Sequence, residues 1–160
     1  MSAAGGLAER SHEENWLPIL ELAIQEVFEI MLGSKVKTVA PSEHAANTEF
    51  TAMVGLAGAL CGILTVCCDG KTACQIATRM LGDAAGSEEQ AADALGEICN
   101  MITGNFKNKL AGTDEQCMLS VPSVISGGKY SFRSLAEGGS IETVLLFEGA
   151  PVFVRLKLHR

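Results

Sequence analysis

Positive charge is in short supply in this chain of 160 residues: 12 Lys and Arg stand against 19 Asp and Glu, for a net charge of −7. Binding to a phosphate backbone or an anionic lipid surface depends on concentrated positive charge, so nucleic acid and membranes are disfavoured as partners and a protein or small solute fits better. Proline is rare, at 4 residues, and charged residues make up 19% against 48% hydrophobic, which argues against a disordered chain or a coiled coil. No Cys-x-x-Cys pair occurs among Cys61, Cys67, Cys68, Cys74, Cys99 and Cys117, and His12, His44 and His159 lie far from them in sequence. These spacings match no zinc pattern, so no metal or cofactor of its own is expected. Nothing at the start reads as a secretory signal, since Glu9, Arg10, Glu13 and Glu14 interrupt any apolar core, so none is expected. That places the chain in a reducing cytoplasm, with most thiols acting as small buried hydrophobes.

What is present reads as one domain. The longest charge-free run, 19 residues between Glu49 and Asp69, is broken by Gly55, Gly58 and Gly62 and predicts two buried antiparallel strands, Phe50 to Leu56 and Ile63 to Cys67. Before it, Leu17, Leu20, Ile24, Val27, Phe28 and Met31 share one face of a helix from about Glu13 to Leu32, ended by Gly33. Its start is open between a Ser11/Glu14 capping box and a first-turn Pro18. Val36 to Val39 is a short strand, and Ser42 to Thr48 a polar loop. Asp69 caps a helix running to Gly82, and Ser87 with Gln90 opens a long helix reaching about Leu110. A strand from Cys117 to Val121 breaks at Pro122, followed by a loop around Gly127 and Gly128. A hairpin, Ile141 to Phe147 and Val152 to Leu158, turns through Gly149, Ala150 and Pro151.

The two halves resemble each other. Glu26-Val-Phe-Glu29-Ile-Met-Leu-Gly33 aligns with Glu97-Ile-Cys-Asn100-Met-Ile-Thr-Gly104 at an offset of 71, and the Gly58-Ala59 turn recurs as Gly149-Ala150. The expected architecture is therefore α+β: duplicated helix-plus-hairpin units, about residues 13–82 and 87–160, with long amphipathic helices packed on a mostly antiparallel sheet.

The second long helix carries the candidate chemistry. At 100° per residue Asp93, Glu97, Asn100 and Gly104 fall in a stripe about 60° wide. Leu95, Ile98, Cys99, Ile102 and Phe106 lie diametrically opposite, so the core-seeking side points the polar stripe outward. Lys107 and Lys109 follow the stripe and read as solvated, while Trp16 and Tyr130 read as packing residues. Asp93-x3-Glu97-x2-Asn100, with Thr103-Gly104-Asn105 after it and then Ser120-Val121-Pro122-Ser123-Val124-Ile125-Ser126-Gly127, resembles the signature of the CheC/CheX/FliY family of chemotaxis phosphatases. It is most similar to the CheX branch, which has one such helix where CheC has two. The 21 residues between Asn100 and Pro122 are one fewer than the family's spacing.

The resemblance implies a protein phosphatase that removes the aspartyl phosphate of a CheY-like response regulator. Asn100 would hold the attacking water, and Glu97 would pair with the regulator's active-site lysine. Asp93 and Gly104 are candidate partner-binding positions, Mg is expected on the regulator, and a homodimer paired through sheet edges is implied. Glu29 stands where the amide would be in the first helix, so the surface at Glu26 is expected to be inactive. Two other readings stay open: a non-enzymatic regulator-binding adaptor or rotor-switch-like module, and a thiol-dependent sensor using Cys67 and Cys68.

Overall fold

A computed structural model of the chain describes residues 3–41, 48–58, 60–82, 86–110, 117–127, 130 and 139–158, with side chains from residue 15 onward. His44, His159, the interior of the loop after Pro41, Ala59 and Gly128 lie outside the described residues, as does the side chain of His12. Among the described residues three helices and seven strands follow in the order α1 (Ala3–Leu32), β1 (Lys37–Val39), β2 (Phe50–Gly58), β3 (Gly62–Cys68), α2 (Gly70–Leu81), α3 (Glu88–Lys109), β4 (Cys117–Leu119), β5 (Ser123–Ser126), β6 (Ser140–Phe147) and β7 (Ala150–Leu158). The strands form one antiparallel sheet in the order β1-β6-β7-β3-β2-β4, with β5 also on β2. Exchanging β1 with β4, β2 with β6 and β3 with β7 leaves this order unchanged.

Strand alternation explains the layering. Phe50, Ala52, Val54 and Leu56 of β2, Leu64, Val66 and Cys68 of β3, and Val152, Val154 and Leu156 of β7 are all buried at every second position. They form one cluster with Leu20, Ile24, Val27 and Phe28 of α1, Ile76 of α2, and Leu95, Ile98, Ile102 and Phe106 of α3. The Phe28 and Phe147 rings meet edge-on at 5.6 Å, and Trp16 meets Phe106 at 6.5 Å. No helix among the described residues is long and apolar enough to cross a membrane; the charge-free run is the β2–β3 hairpin.

Several expectations are corrected. α1 runs through both Ser11 and Pro18, so neither opens it; Pro18 sits inside the helix on its exposed side. The strand at Cys117 stops at Leu119 rather than Val121, and Ser123–Ser126, to which no element is assigned from the sequence, form β5, because the chain resumes pairing with β2 after an interruption. Only Cys68, Cys99 and Cys117 are buried, while Cys61, Cys67 and Cys74 are half-buried. Strand parity explains part of this: Cys68 faces the helices, and Cys67 faces away from them.

Candidate functional site

The rotation of α3 is set before its polar side chains are considered. Ser87 Oγ accepts from the Gln90 N–H at 3.1 Å and Gln90 Oε1 accepts from the Ser87 N–H at 3.2 Å, so the expected capping box fixes the first turn. Leu95, Ile98, Cys99, Ile102 and Phe106 are then fully buried. Burial of such side chains is worth about 1.5–3 kcal/mol each, so turning the helix to hide the polar stripe would cost on the order of 10 kcal/mol. Asp93 and Glu97 are accordingly exposed, and Asn100 and Gly104 half-buried. Neither the Glu97 nor the Asn100 side chain has a hydrogen bond or ion pair with any described residue.

The edge strand forms one wall beside this stripe. Leu119 pairs with Leu56 and Ser123 with Met53, leaving Ser120, Val121 and Pro122 opposite only Val54 and Gly55. This one-residue excess is a β-bulge, secured by Ser120 N–H to Gly55 O at 2.9 Å and Gly55 N–H to Ser120 Oγ at 2.8 Å. The bulge brings Pro122 and Val124 against Gly96, the residue before Glu97. A Cβ at position 96 would lie 3.2 Å from Val124 Cγ2 and 3.6 Å from the Pro122 Cβ. Gly96 is therefore the close-approach point of helix and sheet, a role that the helical wheel alone did not single out; its signal was a glycine inside an otherwise good helix. Position 104 is looser, since a Cβ there would meet only Leu119 Cδ1 at 3.9 Å.

The other wall is α1. A groove of about 420 Å³ runs between the helices, lined by Val27, Ile30, Asn100, Met101, Gly104 and Leu119 among others. The structure thus places Asn100 and Gly104 in the groove and leaves Glu97 and Asp93 on its exposed flank. Glu26, the counterpart of Glu97 at the offset of 71, is engaged within the chain: it accepts from Lys109 Nζ at 2.9 Å through Oε1 and from Asn105 Nδ2 at 2.9 Å through Oε2. Lys109 is therefore a clamp between the helices rather than a solvated lysine, and these bonds hold the Glu26 carboxyl below its ordinary value of 4.5.

A group with a lowered folded pKa stabilises the fold above its unfolded pKa, and that contribution is lost as pH falls through the folded value. Glu26→Gln is therefore expected to melt below the wild type at neutral pH. The gap should close on acidification through the carboxylate range, as followed by thermal unfolding across pH; a constant gap would show that the charge of Glu26 is not what matters.

On the sheet face away from the helices, a second cavity of about 270 Å³ is lined by Thr51, Thr65, Cys67, Tyr130, Phe153 and Arg155, among others. Tyr130 is hydrogen-bonded there to Thr51, so it does more than pack. Burial pushes the Cys67 and Cys68 thiols up, away from the thiolate that a sensor requires, and pushes Cys99 up to about 12.

Residues 50–144 match the family model described as chemotaxis phosphatase CheX. The chain belongs to the CheX family. Its fold agrees: the chemotaxis protein CheX of Vibrio vulnificus is 25% identical, with a TM-score of 0.78 over 90% of this chain and 96% of that one. The chemotaxis protein CheX of Desulfovibrio desulfuricans is 22% identical, with a TM-score of 0.78 over 91% and 99%. CheX of Borrelia burgdorferi, solved in a complex with CheY, BeF3 and Mg, is 22% identical, with a TM-score of 0.72 over 91% and 98%. No curated protein sequence matches the chain. The helices packed on a mostly antiparallel seven-stranded sheet are thus a CheX-type α+β fold.

Proposed function

We propose that this CheX-family protein hydrolyses the aspartyl phosphate of a CheY-like response regulator, with Asn100 positioning the attacking water and Glu97 docking the regulator. The observation that carries this reading is the pair itself: a carboxylate and a carboxamide on adjacent turns of α3, facing outward with no partner among the described residues. An acyl phosphate is already activated, and its hydrolysis passes through a loose transition state in which in-line placement of water matters more than strong base catalysis. The Asn100 amide has both a donor and an acceptor with which to hold that water. Water oxygen bonds to phosphorus as the bond to the aspartyl oxygen breaks, giving the regulator's free carboxylate and inorganic phosphate, with the water's proton released to phosphate or solvent.

Glu97 registers the helix by pairing with the regulator's lysine, and Asp93 extends the acidic side of that contact one turn away. The Mg expected in the reaction belongs to the regulator. Its aspartate site would supply the ligands, and this chain contributes the amide and the docking acid. The complex of Borrelia CheX with CheY supports a receiver domain as the partner. The duplication of helix-plus-hairpin units fits the strand order, which reads the same from either edge, and the engaged Glu26 fits a single active helix. The β1 edge, at the opposite end of the sheet from α3's partners β2 and β5, suits the homodimer that the family resemblance implies.

The test is to phosphorylate candidate regulators from the same genome and follow loss of aspartyl phosphate with and without the protein. Accelerated decay is expected. Binding of the phosphorylated form without faster decay would overturn the enzyme and leave a regulator-binding adaptor.

A further inference from the structure

On the sheet face turned away from the helices, strand register lays two unlike rows of side chains side by side. Thr51 pairs with Cys67, Cys67 with Phe153 and Phe153 with Val144, which makes one row across β2, β3, β7 and β6. Two residues along each strand, about 7 Å away, Thr65 pairs with Arg155 and Arg155 with Glu142. The first row is apolar beyond Thr51, and the second is polar. The cavity of about 270 Å³ lies over both. Its floor is already dry: Val144 is fully buried although it stands outside the cluster that packs on the helices, and Thr51 and Thr65 are 1% and 4% exposed. Thr51 Oγ1 donates its one proton to Cys67 Sγ at 3.4 Å, so the Tyr130 hydroxyl donates to Thr51 and the ring is held as a side wall. At the polar end Arg155 Nη2 meets Glu142 Oε1 at 2.6 Å. The other guanidinium N–H groups and Glu142 Oε2 have no partner among the described residues.

We propose that this cavity binds a small apolar α-amino acid, with its side chain on the Cys67–Phe153–Val144 row and its charged head on Arg155 and Glu142. The head follows from the two charges. Unoccupied guanidinium N–H groups take a carboxylate, the second Glu142 oxygen takes an ammonium, and a molecule carrying both groups a few bonds apart satisfies the pair without splitting it. A simple anion would also meet the Glu142 carboxylate, and a simple cation the Arg155 guanidinium, so either is opposed by a like charge. The body follows from the row, where a phenyl ring, a branched chain and a thiol offer apolar contact and no charge. Size sets the upper limit, since the volume falls just below the range of about 300–1,000 Å³ in which pockets hold drug-sized ligands. The site stands apart from the phosphatase reading, because none of its residues belongs to α3.

The experiment titrates the full chain with L-phenylalanine and L-leucine by calorimetry, and with phenylacetate and phenethylamine, each of which carries half of the charged head. The same titrations are run on Arg155→Gln, Glu142→Gln and Lys157→Gln, the last being a control on the same face of β7 but outside the cavity lining. Wild type and Lys157→Gln are expected to bind at least one of the two amino acids alike. Each half-head in the wild type, and the bound amino acid in Arg155→Gln and in Glu142→Gln, should bind about tenfold more weakly or worse, as for the loss of one charge-assisted hydrogen bond. The two side chains are 51% and 37% exposed, so the fold should survive both substitutions, and the half-head comparison needs no variant at all. No heat of binding from either amino acid at millimolar concentration would overturn the site. So would half-heads that bind as tightly as the amino acid, or binding that Arg155→Gln and Glu142→Gln leave unchanged.

Discussion

Asn100→Ala is expected to slow aspartyl-phosphate loss by a hundredfold or more while leaving the affinity for the beryllofluoride-loaded regulator within a few fold. Removing one positioned polar group from a reacting centre typically costs about 10²–10³ in rate, and the proposed role of the amide is confined to the step in which water attacks. Folding is not at issue, since the Asn100 side chain bonds to no described residue and alanine is the better helix former by about 0.7 kcal/mol at most. Asn100→Gln keeps the amide but moves it outward by one methylene, and a displacement of about 1 Å in a positioning group is enough for roughly a hundredfold loss. Failure of glutamine to rescue would therefore separate geometry from mere polarity. Glu97→Ala should behave differently, raising KM first and making the remaining binding less sensitive to salt, because an exposed ion pair is screened over about 8–10 Å at ordinary ionic strength. Single-turnover decay measured at saturating protein separates the two. Wild-type kcat in Asn100→Ala would remove the amide from the mechanism.

Much of the fold was legible because it rests on local chemistry. Ser87 with Gln90 and Asp69 are caps whose bonds form within three residues, and Asp69 Oδ1 accepts from the Thr72 N–H at 2.7 Å as its position implied. The hairpin strands followed from alternation, and the outward stripe of α3 from its apolar opposite face; the turn of the second hairpin is tighter than expected, Glu148 and Gly149 alone, with Ala150 and Pro151 already paired in β7. What escaped notice depends on residues far apart in the chain. The clamp of Glu26 on Lys109 and Asn105 links α1 to the end of α3, and no periodicity within either helix announces it. β5 is not legible in the sequence because its pairing with β2 resumes only after a bulge, which needs the register of two strands before it exists. Gly96 is silent in the sequence for the same reason: a glycine in a helix has a meaning only once Pro122 and Val124 are known to lie against it. The groove wall at Ile30 likewise needs both helices. The candidate pair itself, Glu97 and Asn100, was visible from one helix, whereas the surface around it was not.

Gly96→Leu is the substitution expected to do most harm without touching the proposed chemistry. Even an alanine Cβ would sit 3.2 Å from Val124 Cγ2, so a neighbour must give by a few tenths of an ångström, whereas the branched leucine has to displace the Pro122 wall or the helix turn that carries Glu97. Two effects compete in Gly96→Ala. Helix propensity favours alanine by about 1 kcal/mol, and overpacking opposes it by about 1–3 kcal/mol, so a small net loss of stability is expected. Leucine adds further volume with no further propensity gain. Its cost should therefore reach the upper end of that overpacking range, with activity falling about a hundredfold because the adjacent acid and amide shift together. Paring back the neighbour provides the control: Val124→Ala added to Gly96→Ala removes the methyl in the way and should restore melting temperature and turnover together. If the double variant gains nothing, the contact is not what sets the helix, and the placement of Glu97 and Asn100 must come from the buried face of α3 alone.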